Sequence, residues 1–206
     1  RFLIARLVYN DGLVTIFAFG GIYAAGTLGF TFDEIMMLGI VLNITAGIGA
    51  FLMGYLDDKV GGRMTLKVTL IGLMIAMILA VFAPEIKPFL QYCFGGSAVP
   101  DWVNAKNIFW TAAVLIGAFS GPNQAASRSL MGRFTPEGKK NEFFGFFAFS
   151  GKATAFAGPF LLGILTVAFE SQRAGISVIF FFFLIGFILL NRVDEKEGME
   201  QGGLLN

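Results

Sequence analysis

The sequence predicts an all-α membrane protein, a bundle of six transmembrane helices arranged as two inverted three-helix repeats, and three observations carry that prediction. First, of 206 residues 56% are hydrophobic and 14% charged, where soluble domains have about half and about a quarter; the mean hydropathy is +0.74. Second, the apolar residues fall in runs long enough for a hydrocarbon core about 30 Å thick, which takes about 20 residues of helix. Ile176 to Leu190 contains no charge, and Met64 to Ala83 contains only Lys67. Third, polar residues at bilayer depth are confined to four of these runs.

The first span is expected over 2–27. The second covers 33–56, and Thr31 followed by Glu34 is the capping-box pattern that starts a helix. The third, 64–83, is expected to stop at Pro84, which has no N–H for the helical ladder. A polar loop containing Gly and Pro, 84–105, follows. The fourth, fifth and sixth spans cover 106–132, 142–169 and 174–191, and the charged tail, 192–206, is expected to fray. These spans make residues 1–206 one transmembrane domain.

An even number of spans puts both termini on one side. That side carries Arg1, Arg6, Lys59, Arg63, Lys67, Arg133, Lys139, Lys140, Arg192 and Lys196, and the other only Lys87, Lys106 and Arg173. The excess of basic residues marks the cytoplasmic face. Tyr92, Trp102 and Trp110 flank the outer loop, either as interfacial anchors or as cover for loop surface. The chain opens at Arg1 without a signal-peptide pattern and reads as a piece of a longer polypeptide.

The first span holds Asn10, Asp11 and Thr15, the second Asn43 and Thr45, the fourth Ser120, Asn123, Gln124, Ser127 and Arg128, and the fifth Ser150, Lys152 and Thr154. A charge at membrane depth costs several kcal/mol, so such groups face a bundle interior or a wet cavity. The third and sixth spans hold almost nothing polar in their middles and are expected to face lipid. Two polar helices and then an apolar one, twice over, is the pattern of two inverted repeats. Small residues form stripes on the same helices: Asn43, Gly47, Ala50 and Gly54 in the second, Gly117, Gly121, Gln124 and Arg128 in the fourth, and Gly145, Lys152 and Pro159 in the fifth. Stripes of this kind let helix backbones approach in lipid.

The most specific string joins the second and third spans: Gly54-Tyr55-Leu56-Asp57-Asp58-Lys59-Val60-Gly61-Gly62-Arg63. It resembles the signature loop of the major facilitator superfamily through Gly54, Asp58, Lys59, Gly61 and Arg63, with Gly62 where a basic residue is frequent. The glycines suit a tight turn, and Asp58 can pair with Arg63 or face the positive N-terminus of another helix. Tyr9-Asn10-Asp11-Gly12, Gly121-Pro122-Asn123-Gln124 continuing through Arg128, Glu142-Phe143-Phe144-Gly145, Ser150-Gly151-Lys152, Gly158-Pro159 and Arg192-Val193-Asp194-Glu195 extend the resemblance. Together they resemble the carboxy-terminal half of the vacuole effluxer-like family of major facilitator transporters, along nearly the whole chain except the outer loop, which looks longer. The resemblance implies a half-transporter whose first and fourth helices line the solute path and whose second and fifth meet the other half. It implies export of amino acids or similar metabolites, the activity of fungal members, and a bacterial inner membrane as the location. It also implies that the signature-loop Asp braces a helix of the missing amino-terminal half.

Counting about 1.5 Å of rise per residue, Asp11 and Lys152 both sit near mid-membrane, where transporter sites concentrate. Asp11 is expected to bind a proton or the ammonium of a solute, and Lys152 or Arg128 to hold an anionic group or Asp11 itself. The alternative is a structural ion pair between Asp11 and Lys152. Asn10, Asn43, Asn123 and Gln124 complete the expected path. Pro122 and Pro159 are expected to kink the fourth and fifth helices, for movement or for packing.

The chain contains no histidine and one cysteine. That excludes a histidine triad and most zinc sites, and no cofactor or metal is expected. Net charge of +1 suggests no nucleic-acid partner. An oligomeric channel would want a re-entrant filter loop, and an intramembrane protease a second deep carboxylate; neither pattern is present. The expected partners are lipid, the missing amino-terminal half, a small solute and, as coupling ion, protons. Isolated, the half is expected to dimerise.

Overall fold

The computed structural model describes residues 1–93 and 99–203. Its elements are α1 (Phe2–Leu28), α2 (Phe32–Val60), α3 (Gly62–Cys93), α4 (Ala105–Arg133), α5 (Lys140–Ser150), α6 (Ala157–Ala168), α7 (Gln172–Leu190) and α8 (Glu195–Gln201). The protein is an all-α membrane protein. By length and composition α1, α2, α3 and α7 can each cross a bilayer; α4 is as long but carries the polar run Ser120 to Arg128.

Local chemistry sets the element ends. Gly29 closes α1 in the left-handed conformation at φ 67°, its N–H on the Ala24 carbonyl. The capping box of α2 is made in both directions: Glu34 N–H donates to Thr31 Oγ1 at 3.3 Å and Thr31 N–H donates to Glu34 Oε2 at 2.7 Å. Gly61, at φ 88°, turns the chain from α2 into α3.

The third helix does not stop at Pro84 but runs through Pro84 and Pro88 to Cys93. Pro84 deprives the Ala80 carbonyl of its helical donor, and the Tyr23 hydroxyl of α1 donates to that carbonyl instead, at 3.4 Å. The outer loop is correspondingly shorter, and its residues 94–98 lie outside those described. The fifth helix is two helices, α5 and α6, separated by an irregular stretch at 151–156. The tail does not fray at once: Asp194 caps α8 through bonds from the Lys196 and Glu197 N–H groups, and Gly198 packs on the Phe134 ring.

α4 packs against α2 and α3, and α1 packs against α7, α5 and α6, while α3 meets α7 at the centre. Exchanging α1 for α4, α2 for the α5–α6 pair and α3 for α7 reproduces these pairings, as two inverted repeats require. The α2–α4 seam is close because it is built from glycines on both sides. A Cβ at Gly49 would strike the Ala118 carbonyl, and one at Gly121 the Ala46 carbonyl. The Ala118 carbonyl is the one that Pro122 leaves without a helical donor, and α4 stays a single helix through it.

The expected stripe of α2 is displaced: the seam uses Leu42, Thr45, Ala46 and Gly49, while Gly39, Gly47 and Gly54 face open space. Nor is α3 simply peripheral. Thr65, Leu66, Thr69, Leu70, Leu73, Ala76 and Met77 are buried against α4 and α7, while Met64, Ile71, Ile75, Ile78 and Phe82 and the end of the helix beyond Pro84 are largely exposed.

Candidate functional site

A break in a helix leaves carbonyls without donors, and in a membrane each must find one. At the end of α5 the Phe147 carbonyl keeps a helical donor, the Gly151 N–H at 3.3 Å, and side chains of α1 add further bonds there. Arg6 Nη1 donates to the Phe147 carbonyl at 2.6 Å and to Ser150 Oγ at 2.8 Å, with its guanidinium 3.5 Å over the Phe147 ring. One turn further along, Asn10 Nδ2 donates to the Gly151 carbonyl at 2.8 Å. Past the break, Pro159 offers no N–H to the Ala155 carbonyl. Glycine is required where the two elements touch: a Cβ at Gly151 would lie 2.8 Å from Arg6 Nη1, and one at Gly158 would overlap Thr15 Oγ1.

Asp11 is the next residue of α1, and it is 2% exposed. The Thr154 side chain, from the irregular stretch, reaches toward its carboxyl, yet Asp11 Oδ1 and Thr154 Oγ1 are both buried without a hydrogen-bond partner among the described residues. Thr15 does not help, since its hydroxyl donates to the Asp11 backbone carbonyl at 2.7 Å. Among the described residues Asp11 makes no ion pair, so the alternative of a structural Asp11–Lys152 bridge is not what the structure contains. An ionised carboxylate in such a setting costs several kcal/mol unless it binds a cation or a proton.

Lys152 is exposed instead, and a cleft of about 350 Å³ brings it together with Arg128, Arg6 and Asn10. Arg6 is the site residue that the sequence reading missed, having been counted with the cytoplasmic positive charges. The available signal was its spacing of four from Asn10, which puts both on one face of α1. Gln124 is exposed one turn from Arg128 on α4. Asn43 is exposed on α2, donates to its own helix at the Gly39 carbonyl, and borders a separate apolar cavity with Phe17, Gly20, Ile116 and Ile176. Asn123 lies elsewhere. It is fully buried and donates to Thr69 Oγ1 at 2.9 Å, while its own carbonyl accepts from Ser127 Oγ, which pairs with the Tyr9 hydroxyl. That chain of bonds joins α1, α4 and α3, and Asn123 Oδ1 is left buried without a partner among the described residues.

The signature loop forms a second polar cluster, at the end of the bundle that holds the start of α1 and the end of α4. The carboxylate that pairs there is Asp57, 7% exposed, with Oδ2 3.2 Å from Arg133 Nη2; Asp58 and Lys59 are exposed. Arg133 Nη1 also lies 3.1 Å from Glu195 Oε1 of α8. Glu195 in turn accepts from the Gly62 and Arg63 N–H groups at the start of α3, at 3.0 and 2.9 Å. A carboxylate on the first N–H groups of a helix is favoured by bonding and by the helix dipole. Gly61 is required by its φ and by the nearness of Glu195, and Arg63 donates to the Asn191 carbonyl at 2.7 Å.

Comparison with known proteins agrees with this architecture. The chain is similar to an MFS-type transporter, YxiO, of Bacillus subtilis, at 27% identity over 95% of this chain and 41% of the relative. It is similar to Autophagy-related protein 22 of Saccharomyces cerevisiae, at 28% identity over 97% of this chain and 36% of the relative, and to that of Cryptococcus neoformans, at 24% identity. The chain thus spans about two fifths of the length of these relatives. No solved structure matches it. The family model described as vacuole effluxer Atg22 like matches residues 1–203, and the chain belongs to that family of major facilitator transporters.

Proposed function

We propose that this chain is one six-crossing half of a secondary active transporter that moves a small solute, of the class of amino acids or similar metabolites, by alternating access. In this reading α5 and α6 together form the fifth crossing. The rest of the polypeptide, which the relatives' greater length leaves room for, supplies the other half against the open faces of α2, α5 and α6. The excess of basic residues at the end holding the start of α1, the signature loop and α8 supports a cytoplasmic location for that end, and the similarity to the Bacillus relative favours a bacterial inner membrane.

The observation that carries the reading is the break at 151–156 beside the buried carboxylate of Asp11, whose Oδ1 has no hydrogen-bond partner among the described residues. Discontinuous helices with ionisable groups at mid-membrane are how secondary transporters build solute and ion sites. Asp11 is then the group that takes the coupling proton or a solute ammonium. The test is uptake of a panel of radiolabelled amino acids by the full-length protein in proteoliposomes, with and without an imposed pH gradient. Saturable uptake that the gradient accelerates is expected, and Asp11→Asn is expected to abolish the acceleration. No uptake above protein-free liposomes, or an Asp11→Asn protein with an unchanged gradient response, counts against it.

A further inference from the structure

The cleft at the end of α5 gathers three cations from three separate elements: Arg6 of α1, Arg128 of α4 and Lys152 of the irregular stretch. None of them has a carboxylate within ion-pairing distance among the described residues. Asp11 does not line the cleft. Arg6 is held rigidly by its bonds to Phe147 and Ser150 and by its stacking on the Phe147 ring, whereas Arg128 and Lys152 are exposed. Three like charges in one cleft repel one another, and more strongly where lipid lowers the dielectric. Such a cluster is stable when an anion completes it. Asn10, one turn from Arg6, lines the same cleft.

We propose that this cleft binds the anionic group, a carboxylate or phosphate, of the transported solute, with Arg6 as the fixed donor and Arg128 and Lys152 as the mobile ones. The inference rests on the transporter reading above. A guanidinium offers the paired N–H groups that match a carboxylate or phosphate in a bidentate fashion, and Lys152 adds a point charge. Three positive charges are only partly balanced by a single negative one. A dianion is therefore expected to bind more tightly than a zwitterion.

The test uses the full-length protein and four probes: succinate, inorganic phosphate, glycine as zwitterion and butanediol as uncharged control. Titration calorimetry at constant ionic strength is expected to give binding in the order succinate or phosphate, then glycine, then butanediol. Arg128→Gln and Lys152→Gln are each expected to weaken succinate binding by about tenfold or more, and Arg128→Lys by less. Arg6 also holds α5, so the substitutions at positions 128 and 152 decide the outcome. Succinate and phosphate binding no tighter than butanediol, or unchanged in the Arg128→Gln/Lys152→Gln protein, overturns the proposal. So does an effect of the two substitutions only in phosphatidylcholine liposomes that also contain phosphatidylglycerol, which would assign the cleft to a lipid headgroup. The two readings fail differently. Solute uptake with the same KM in wild type and variants removes the anion site and leaves the transporter. Succinate binding lost in the variants, in a protein that moves no solute, does the reverse.

Discussion

Under the proposed function, position 11 is where a single side chain weighs most. Its carboxylate lies between α1 and the break that separates α5 from α6, with Asn10 and Arg6 on one side holding the broken backbone and Thr15 and Gly158 on the other setting the helix spacing. The spacing is tight enough to test. Gly158→Ala introduces a methyl group that overlaps Thr15 Oγ1, and overpacking of this kind is expected to destabilise by about 1–3 kcal/mol. Adding Thr15→Ala should recover much of that loss, since the overlapping atom is gone. Thermal denaturation of the two single variants and the double variant measures the recovery. Equal losses in the single Gly158→Ala and the double variant would mean that α1 and α6 do not touch there.

Among the elements, α3 and α8 behave least as their sequences suggest. Proline ends a helix in water because the freed carbonyl is better served outside the helix; in α3 a tyrosine from α1 serves it in place. Tyr23→Phe is therefore expected to destabilise by about 0.5–1.5 kcal/mol. It should cost less in a Pro84→Ala background, where residue 84 supplies its own N–H to Ala80; a chemical-denaturation cycle on the four proteins reads the difference. α8 matters through one side chain, Glu195, which joins Arg133 of α4 to the first N–H groups of α3. A coupling energy of about 1–3 kcal/mol is expected between Arg133→Ala and Glu195→Ala. Glu195→Gln should also speed hydrogen exchange at the Gly62 and Arg63 amides. Additive effects of the two alanine variants would reduce α8 to a tail that merely lies on the bundle.

For the molecule as a whole, the broad open surface is that of α2. Phe32, Met36, Ile40, Ile44, Ile48, Phe51 and Tyr55 are exposed along it, and Gly39, Gly47 and Gly54 give another helix room to approach. Lipid can cover the apolar residues, but the cationic cleft and the polar start of α5 are poorly matched to acyl chains. The 206-residue chain produced by itself is accordingly expected to dimerise in detergent, measured by light scattering. A stable monomer there would mean that the open face is satisfied by detergent or lipid alone.

Composition and periodicity by themselves determined that this chain is helical and lives in a membrane, which helices carry polar groups, and where α2 begins; its motifs determined the family to which it belongs. These follow from signals local to a run of residues: hydropathy over about 20 positions, a cap and its partner within one turn, a motif in one loop. What only the tertiary structure decided depends on residues far apart in the chain. Tyr23 meets the carbonyl that Pro84 frees in α3, Asn10 meets the Gly151 carbonyl where α5 gives way to the irregular stretch, and Asp57 rather than its neighbour Asp58 meets Arg133. Asn123, polar and at the right depth for a solute path, turned inward to Thr69. In each case a backbone or side-chain group had to be satisfied away from water, and the chain alone does not say which distant group will do it.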